Sequence, residues 1–313
     1  MLKKLILLLL AIALLALRPA PQPATLALMG DVMLGRGVAQ AHAARDWERA
    51  FSAIAPHVQR ADLALANLES PLTTANTPAL TRTARNYNLC AAAQSVQALH
   101  SAGIDILALA NNHASDCSPH GADETRTILE SNGMRAITAD TPVYHSVGGV
   151  HLAFYAFDDV AAPLDIASTA QRIAQSRRQG RLPVISIHWG TEYHPAPDSR
   201  QRQMAQAFAD SGAVLVWGHH PHVLQPIAWL QGAGQARPTL IAYSLGNALF
   251  DQPSPPDVRR SVLLLVTINA QGVQSFEILP LEIDFPACVV RPAVEGSAAA
   301  VQHRLGVQSS QAQ

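Results

Sequence analysis

Residues 182–222 read LPVISIHWGTEYHPAPDSRQRQMAQAFADSGAVLVWGHHPH, and their pattern decides the fold class. Leu182–His188 is an apolar run of strand length that ends in the polar cluster His188-Trp189-Gly190-Thr191-Glu192. Arg200–Ser211 has the spacing of an amphipathic helix, and Ala213–Trp217 is a second apolar strand. That strand ends in Gly218-His219-His220-Pro221-His222. Strand, helix, strand, with each strand closing on polar residues, marks an α/β protein.

The same alternation runs back toward the amino terminus. Strands are expected at Thr25–Gly30, Ala61–Asn67, Ile104–Ala110, Met134–Thr138 and Val143–Val147. The last is joined to Val150–Phe157 by Gly148-Gly149, a hairpin signal. Helices are expected at Trp47–Val58, Ala91–Ala102, Gly121–Ser131 and Leu164–Arg178, with a long loop up to about Arg85. Beyond residue 222 only strands remain: Val223–Leu230, Thr239–Ser244, Arg260–Asn269 and Val273–Ile283. The pattern predicts a mixed α/β sandwich over residues 24–285 without an internal break, followed by a loosely attached tail, 286–313.

Composition narrows the function classes. With 49% hydrophobic and 14% charged residues the chain has ample material for a large core. A formal charge of 22 − 23 = −1, with no long run of either sign, argues against nucleic acid as partner. Disordered, collagen-like and disulfide-scaffold chains are excluded as well. Thirteen histidines against three cysteines point to where the chemistry lies. Cys90, Cys117 and Cys288 allow one bridge at most, Cys90–Cys117 being the nearer pair, and none has C-x-x-C spacing. At the amino terminus, Lys3 and Lys4 precede the apolar run Leu5–Leu17, the layout of a secretory signal. Arg18 and the prolines after it stand where a small-x-small cleavage site belongs. Residues 1–23 are therefore expected to be a signal peptide or an uncleaved anchor, placing the protein in the periplasm or otherwise outside the cytoplasm.

Five strands end in polar clusters: Gly30-Asp31, Asn67-Leu68-Glu69, Asn111-Asn112-His113, His188 to Glu192, and His219-His220-Pro221-His222. Ligand sites of open α/β sheets lie beyond the carboxyl ends of strands, so one crevice can collect all five. Singly, each has a plain reading: Asp31 as a turn residue, the asparagines as loop amides, His188 as a core histidine. Three histidines within four residues are harder to bury, because each needs hydrogen-bond partners. A mixed set of carboxylates, amide and imidazoles suits Mn, Zn or Fe.

The order and wording of GDVMLGR (30–36), ANLESPLT (66–73), LALANNHASD (107–116), HWGTEY (188–193), GHHPHVLQ (218–225) and YSLGNALFDQ (243–252) resemble one family. It is the CapA family of capsule or poly-γ-glutamate synthesis proteins. The resemblance implies the calcineurin-like metallophosphoesterase fold, a four-layer αββα sandwich with one or two divalent transition metals at an edge of the two sheets. By motif, Asp31 and His222 would hold the first metal, Glu69 would bridge, and Asn112, His188 and His220 would hold the second. His113 would be the general acid, with Asp116 placed to orient it or to cap a helix. His219 would stand behind the ligands or share the role of His220. Metallophosphatases usually carry Asp-x-His in the first motif, where this chain has Met33, and a bridging Asp where it has Glu69. Glu192 could supply the missing ligand or a base. Arg36 is a candidate for gripping a substrate carboxylate or phosphate. The implied function is synthesis, release or export of an anionic extracellular polymer, alongside a membrane-bound polymer synthase complex, by hydrolysis with metal-activated water. A periplasmic phosphoesterase and a non-catalytic, membrane-held scaffold are the alternatives.

Overall fold

The computed structural model describes residues 22–42, 44, 46–75 and 87–307. The segment read as a leader lies outside the described residues up to 21, as do 76–86 of the long loop and 308–313 of the tail. Among the described residues no helix is long and apolar enough to cross a membrane.

Two sheets form the centre. The strands of the first, in chain order, are β1 (Ala24–Val32), β2 (Leu63–Leu68), β5 (Ile106–Ala108), β6 (Arg135–Ile137), β13 (Asn247–Leu249), β14 (Arg260–Asn269), β15 (Gly272–Asp284) and β16 (Val289–Pro292). They lie in the order β16-β15-β14-β1-β2-β5-β6, with β13 beside the end of β1. The second sheet contains β7 (Val143–Val147), β8 (Val150–Asp158), β9 (Leu182–His188), β10 (Leu215–His219), β11 (Leu224–Leu230) and β12 (Thr239–Leu245), in the order β11-β12-β10-β9-β8-β7. A two-residue pair, β3 (Leu72–Thr73) and β4 (Ala91–Ala92), stands apart.

Side-chain alternation explains the layering. In β1, Leu26 and Leu28 point between the sheets, while Ala27 and Met29 point outward. In β9, Val184 faces inward, and Ile185 and Ile187 face outward. The inner core joins Leu26, Leu28, Leu65 and Ile106 to Phe154, Val184, Leu215 and Trp217 of the facing sheet. Both outer faces are covered as well, which is why these strands read as unbroken apolar runs. Over the first sheet lie α1 (Arg36–Ala41), α2 (Ala55–Val58), α3 (Val96–Ala102) and α4 (Gly121–Ser131). Over the second lie α5 (Ile166–Arg178) and α6 (Ser199–Asp210), the latter opened by a capping box between Asp198 and Gln201. The four layers run α, β, β, α.

Three stretches differ from the sequence reading. Trp47–Val58 is not one helix but a 3₁₀ turn at Trp47–Ala50 followed by α2. Trp47, Phe51, Ile54 and Val58 keep helical spacing and are all buried, but Pro56 has no N–H to give to the carbonyl of Ser52. In Ala91–Ala102 the first two residues pair with β3, and the α-helix begins only at Val96. The expected loose tail is also wrong for much of its length. β16 pairs with β15, and α7 (Glu295–Leu305) seats Val301 and Leu305, one turn apart, in the core between the sheets. An Ala- and Gln-rich composition hides that short apolar stripe.

Leu305 is fully buried, so Leu305→Ala is expected to destabilise the fold by about 2–4 kcal/mol, read from the midpoint of urea unfolding. A truly loose tail would leave that midpoint unchanged.

Candidate metal centre

The carboxyl ends of the parallel strands of both sheets meet at one edge. Asp31 and Asn67 are partners across β1 and β2, and Asn67 Nδ2 donates to Asp31 Oδ1 at 2.8 Å. On the other sheet His188 and His219 are partners across β9 and β10. Asn67 Nδ2 also lies 3.5 Å from His188 Nδ1, so one amide spans the gap between the sheets. Behind it the indole of Trp217 donates to the Met29 carbonyl at 3.0 Å, again from sheet to sheet. Close approach demands glycine at two strand positions. A Cβ on Gly30 would lie 1.8 Å from the Gly246 carbonyl oxygen, and one on Gly218 would lie 2.1 Å from that of Tyr243.

Glu69 sits at the centre, with no solvent exposure. Its Oε1 is 3.7 Å from His188 Nε2, 3.7 Å from His222 Nε2 and 3.9 Å from His113 Nε2. Two groups of three share this carboxylate: Asp31, Glu69 and His222, and Glu69, His188 and His220. Within each, ligand atoms lie within 4.8 Å of one another. A third group joins Glu192, on the exposed rim, to His220 and His222. Glu69 Oε1 and Oε2, Asn112 Oδ1, His188 Nε2 and His220 Nδ1 are buried without a hydrogen-bond partner. Uncompensated, each would cost about 1–3 kcal/mol. A divalent cation satisfies such oxygen and imidazole donors, so the residues fit the metal that the fold implies.

The backbone is strained where the histidines leave β10. His220 and His222 have φ of 90° and 56°, in the left-handed region. Such conformations cluster at functional sites and cost about 1–3 kcal/mol each. The His220 N–H donates to Asp31 Oδ2, and His222 Nδ1 meets Asn247 Oδ1 at 2.9 Å, which fixes both turns.

Charges divide the ligands in two. Burial and the neighbouring imidazoles lower His220 to about 4 and His188 well below its ordinary value, so both are neutral and ready to coordinate. Burial opposes ionisation of Asp31, but His219 and His222 beside it hold the carboxyl well below the usual range. Glu69 and His222 compete for one proton. Burial pushes Glu69 well up. Burial works against the charge on His222, yet Glu69 and Asp31 together raise it to about 9.

The remaining residues named from the sequence fall into place as follows. His113 Nδ1 lies 2.8 Å from Asp116 Oδ2, which makes Asp116 the orienting partner and not a helix cap. His219 Nδ1 is 3.4 Å from Asp31 Oδ1, and both its ring nitrogens are buried without a hydrogen-bond partner, so it stands beside the ligand groups without belonging to one of the three. Arg36 is paired, though its charge still reaches Glu69 and lowers it. Its Nε and Nη2 donate to Asp251, whose Oδ2 also takes the Gly37 N–H at 2.9 Å, and the pair ties α1 to the loop after β13. Met33 is fully buried in the core beneath the helices. Asn67, named in the second polar cluster but given no role there, proves to be the link between Asp31 and His188. Cys90 and Cys117 form the disulfide, and Cys288 is a buried thiol.

Fold and edge site together define a metallophosphoesterase-like α/β sandwich. A hypothetical protein from Thermus thermophilus shares the fold, with a TM-score of 0.54 at 17% identity over 82% of this chain and 99% of its own. Residues 25–252 match the family described as bacterial capsule synthesis protein PGA_cap, and the chain belongs to that family. It is 30% identical over 276 residues to "PGA biosynthesis protein CapA" of Bacillus subtilis (strain 168), covering 82% of this chain and 70% of that one. It is 29% identical over 284 residues to "Capsule biosynthesis protein CapA" of Bacillus anthracis, covering 83% and 67%.

Metal uptake must displace the proton that Glu69 and His222 hold between them, since ligands coordinate deprotonated. Affinity for Mn²⁺ or Zn²⁺ is therefore expected to rise with pH until His222 has titrated, near 9. Binding at neutral pH should release about one proton. Calorimetry in buffers of different ionisation enthalpy measures the release, and a count of zero would contradict this charge assignment.

Proposed function

We propose that this chain is an exported, metal-dependent hydrolase acting in the synthesis, release or export of an anionic extracellular polymer, of the poly-γ-glutamate or capsule class named for its relatives. One observation carries the reading. Two groups of potential ligands share Glu69, and a histidine held by a carboxylate faces that same residue. The ions, when bound, supply Lewis acidity and an activated water. Asp31, Glu69 and His222 would hold one; Asn112, His188 and His220 would close on the other, with Glu192 available from the rim.

The protein's own part is positioning and proton transfer. An ionised carboxylate only accepts, so the bond to Asp116 places the Nδ1 proton of His113 and turns Nε2 toward Glu69. A general acid placed so would act in its doubly protonated form, giving the Nε2 proton to the departing alcohol or amine while Nδ1 keeps its bond to Asp116. The substrate's negative charge would fall mainly to the ions, with Arg36, whose charge already acts on Glu69, beside them.

His220→Ala is expected to lose both bound metal and hydrolysis, measured by elemental analysis alongside a screen of phosphoesters and γ-glutamyl amides. Hydrolysis that persisted in the metal-free variant would sink the proposal. Turnover of phosphodiesters with no effect on polymer would favour a periplasmic phosphoesterase. The buried Met33 favours a second reading, a membrane-held scaffold without catalysis. Less than about half an equivalent of transition metal in the purified chain would support the scaffold, given the affinities that built sites show.

A further inference from the structure

We infer that the Cys90–Cys117 disulfide is a positioning element for the His113–Asp116 pair, and that Leu89 and Asn88 transmit its hold. The inference rests on the role proposed above for His113, but its first test does not need activity.

The two cysteines are 27 residues apart in sequence with Cα atoms 4.9 Å apart, and each adjoins a partner in the pair's support. Cys117 follows Asp116 directly. Cys90 follows Leu89, whose N–H donates at 2.6 Å to Asp116 Oδ2, the oxygen that His113 Nδ1 meets at 2.8 Å. Asn88 completes a clasp: its Nδ2 donates to the Asp116 carbonyl at 2.7 Å, and its Oδ1 accepts the Cys90 N–H at 2.9 Å. These contacts join 88–90 to 116–117, and neither stretch lies in a helix or a strand. The turn from His113 to Asp116 is closed by one backbone bond, the Asp116 N–H to the His113 carbonyl at 3.0 Å, and the bridge with the Leu89 and Asn88 bonds sets how the Asp116 carboxylate is held at the end of that turn.

The clasp is itself anchored on the site. The Ala91 N–H donates to the Pro71 carbonyl at 2.9 Å, two residues beyond Glu69. A Cβ on Gly35 would lie 2.7 Å from the Cys90 carbonyl oxygen and 2.8 Å from that of Leu89, so the clasp lies flush against the turn that follows Asp31. The bridge thus fixes Asp116 relative to the segments that carry Asp31 and Glu69. Opening it frees the Leu89 amide from register with Asp116, and His113 loses the acceptor that holds its proton on Nδ1.

The first test is ¹⁵N-histidine NMR on the full chain. The native protein should show a protected, downfield Nδ1 proton on His113, absent from Cys90→Ser/Cys117→Ser and weakened in Asn88→Ala, where the bridge is intact. Circular dichroism and Mn²⁺ stoichiometry check the fold, and if the double variant does not fold, Asn88→Ala decides alone. An undiminished Nδ1 signal in the folded double variant, or in Asn88→Ala, overturns the inference. The second test compares a nitrophenyl with a methyl phosphodiester on the Mn²⁺-loaded chain. Loss of a positioned acid harms the poor leaving group more, so the ratio of rates should shift by about ten- to a hundredfold against the methyl ester. An equal fall for both esters would overturn the positioning role. A native chain that cleaves neither ester counts against the hydrolase, while the NMR result still decides the clasp.

Discussion

The structure is organised around a carboxylate removed from water. Glu69 has no exposure and accepts no hydrogen bond, and three imidazole nitrogens stand 3.7–3.9 Å from one of its oxygens. A buried acid in that position is tolerated only with compensation, by protonation or by a cation. The upward shift of Glu69 is the first form of compensation, and the paired ligand groups provide for the second. The edge of the sandwich is arranged to keep that carboxylate central. Asn67 spans the sheets in front of Trp217, and His188 and His219 sit in register opposite.

Holding this cluster carries a cost that the rest of the fold offsets. His220 and His222 occupy left-handed conformations that few side chains adopt, and Gly30 and Gly218 give up side chains so that other backbone can pass. Against these stand two apolar layers on the outer faces and a continuous one between the sheets. The three cores lie behind the strand ends, so the strained turns project from closely packed strands. Packing of that kind keeps several ligands within a few ångströms without a helix of their own to carry them.

The class of fold was legible because strands covered on both faces are written as apolar runs, and because each ended in polar residues. The site was legible for a related reason: Asp31, Glu69, His188, His220 and His222 lie at strand ends or in the first loop residues beyond. What failed was local. The buried positions from Trp47 to Val58 have helical spacing, and only the missing N–H of Pro56 betrays the break. Residues Val301 and Leu305 were lost in a small-residue background, though they close one end of the inner core. Arg36 shows a different limit. Its partner Asp251 is 215 positions away, so sequence offers an arginine beside a motif and conceals that its charge is matched.

That matching bears on how an anionic polymer would be recognised. Near the crevice Arg36 pairs with Asp251, and Arg200 pairs with Asp159, whose N–H donates to the His188 carbonyl. The metal-free cluster adds an ionised Asp31 beside a protonated His222, so its charges largely cancel. Across the whole chain the balance is 22 − 23 = −1. A polyanion approaching such a surface meets little long-range attraction. Each ion that bound would bring two positive charges and expel the proton held between Glu69 and His222. Under the proposed function, loading the metal site and acquiring affinity for the polymer are then the same event. Selection among polymers would rest on the few groups around the ions, not on a basic surface.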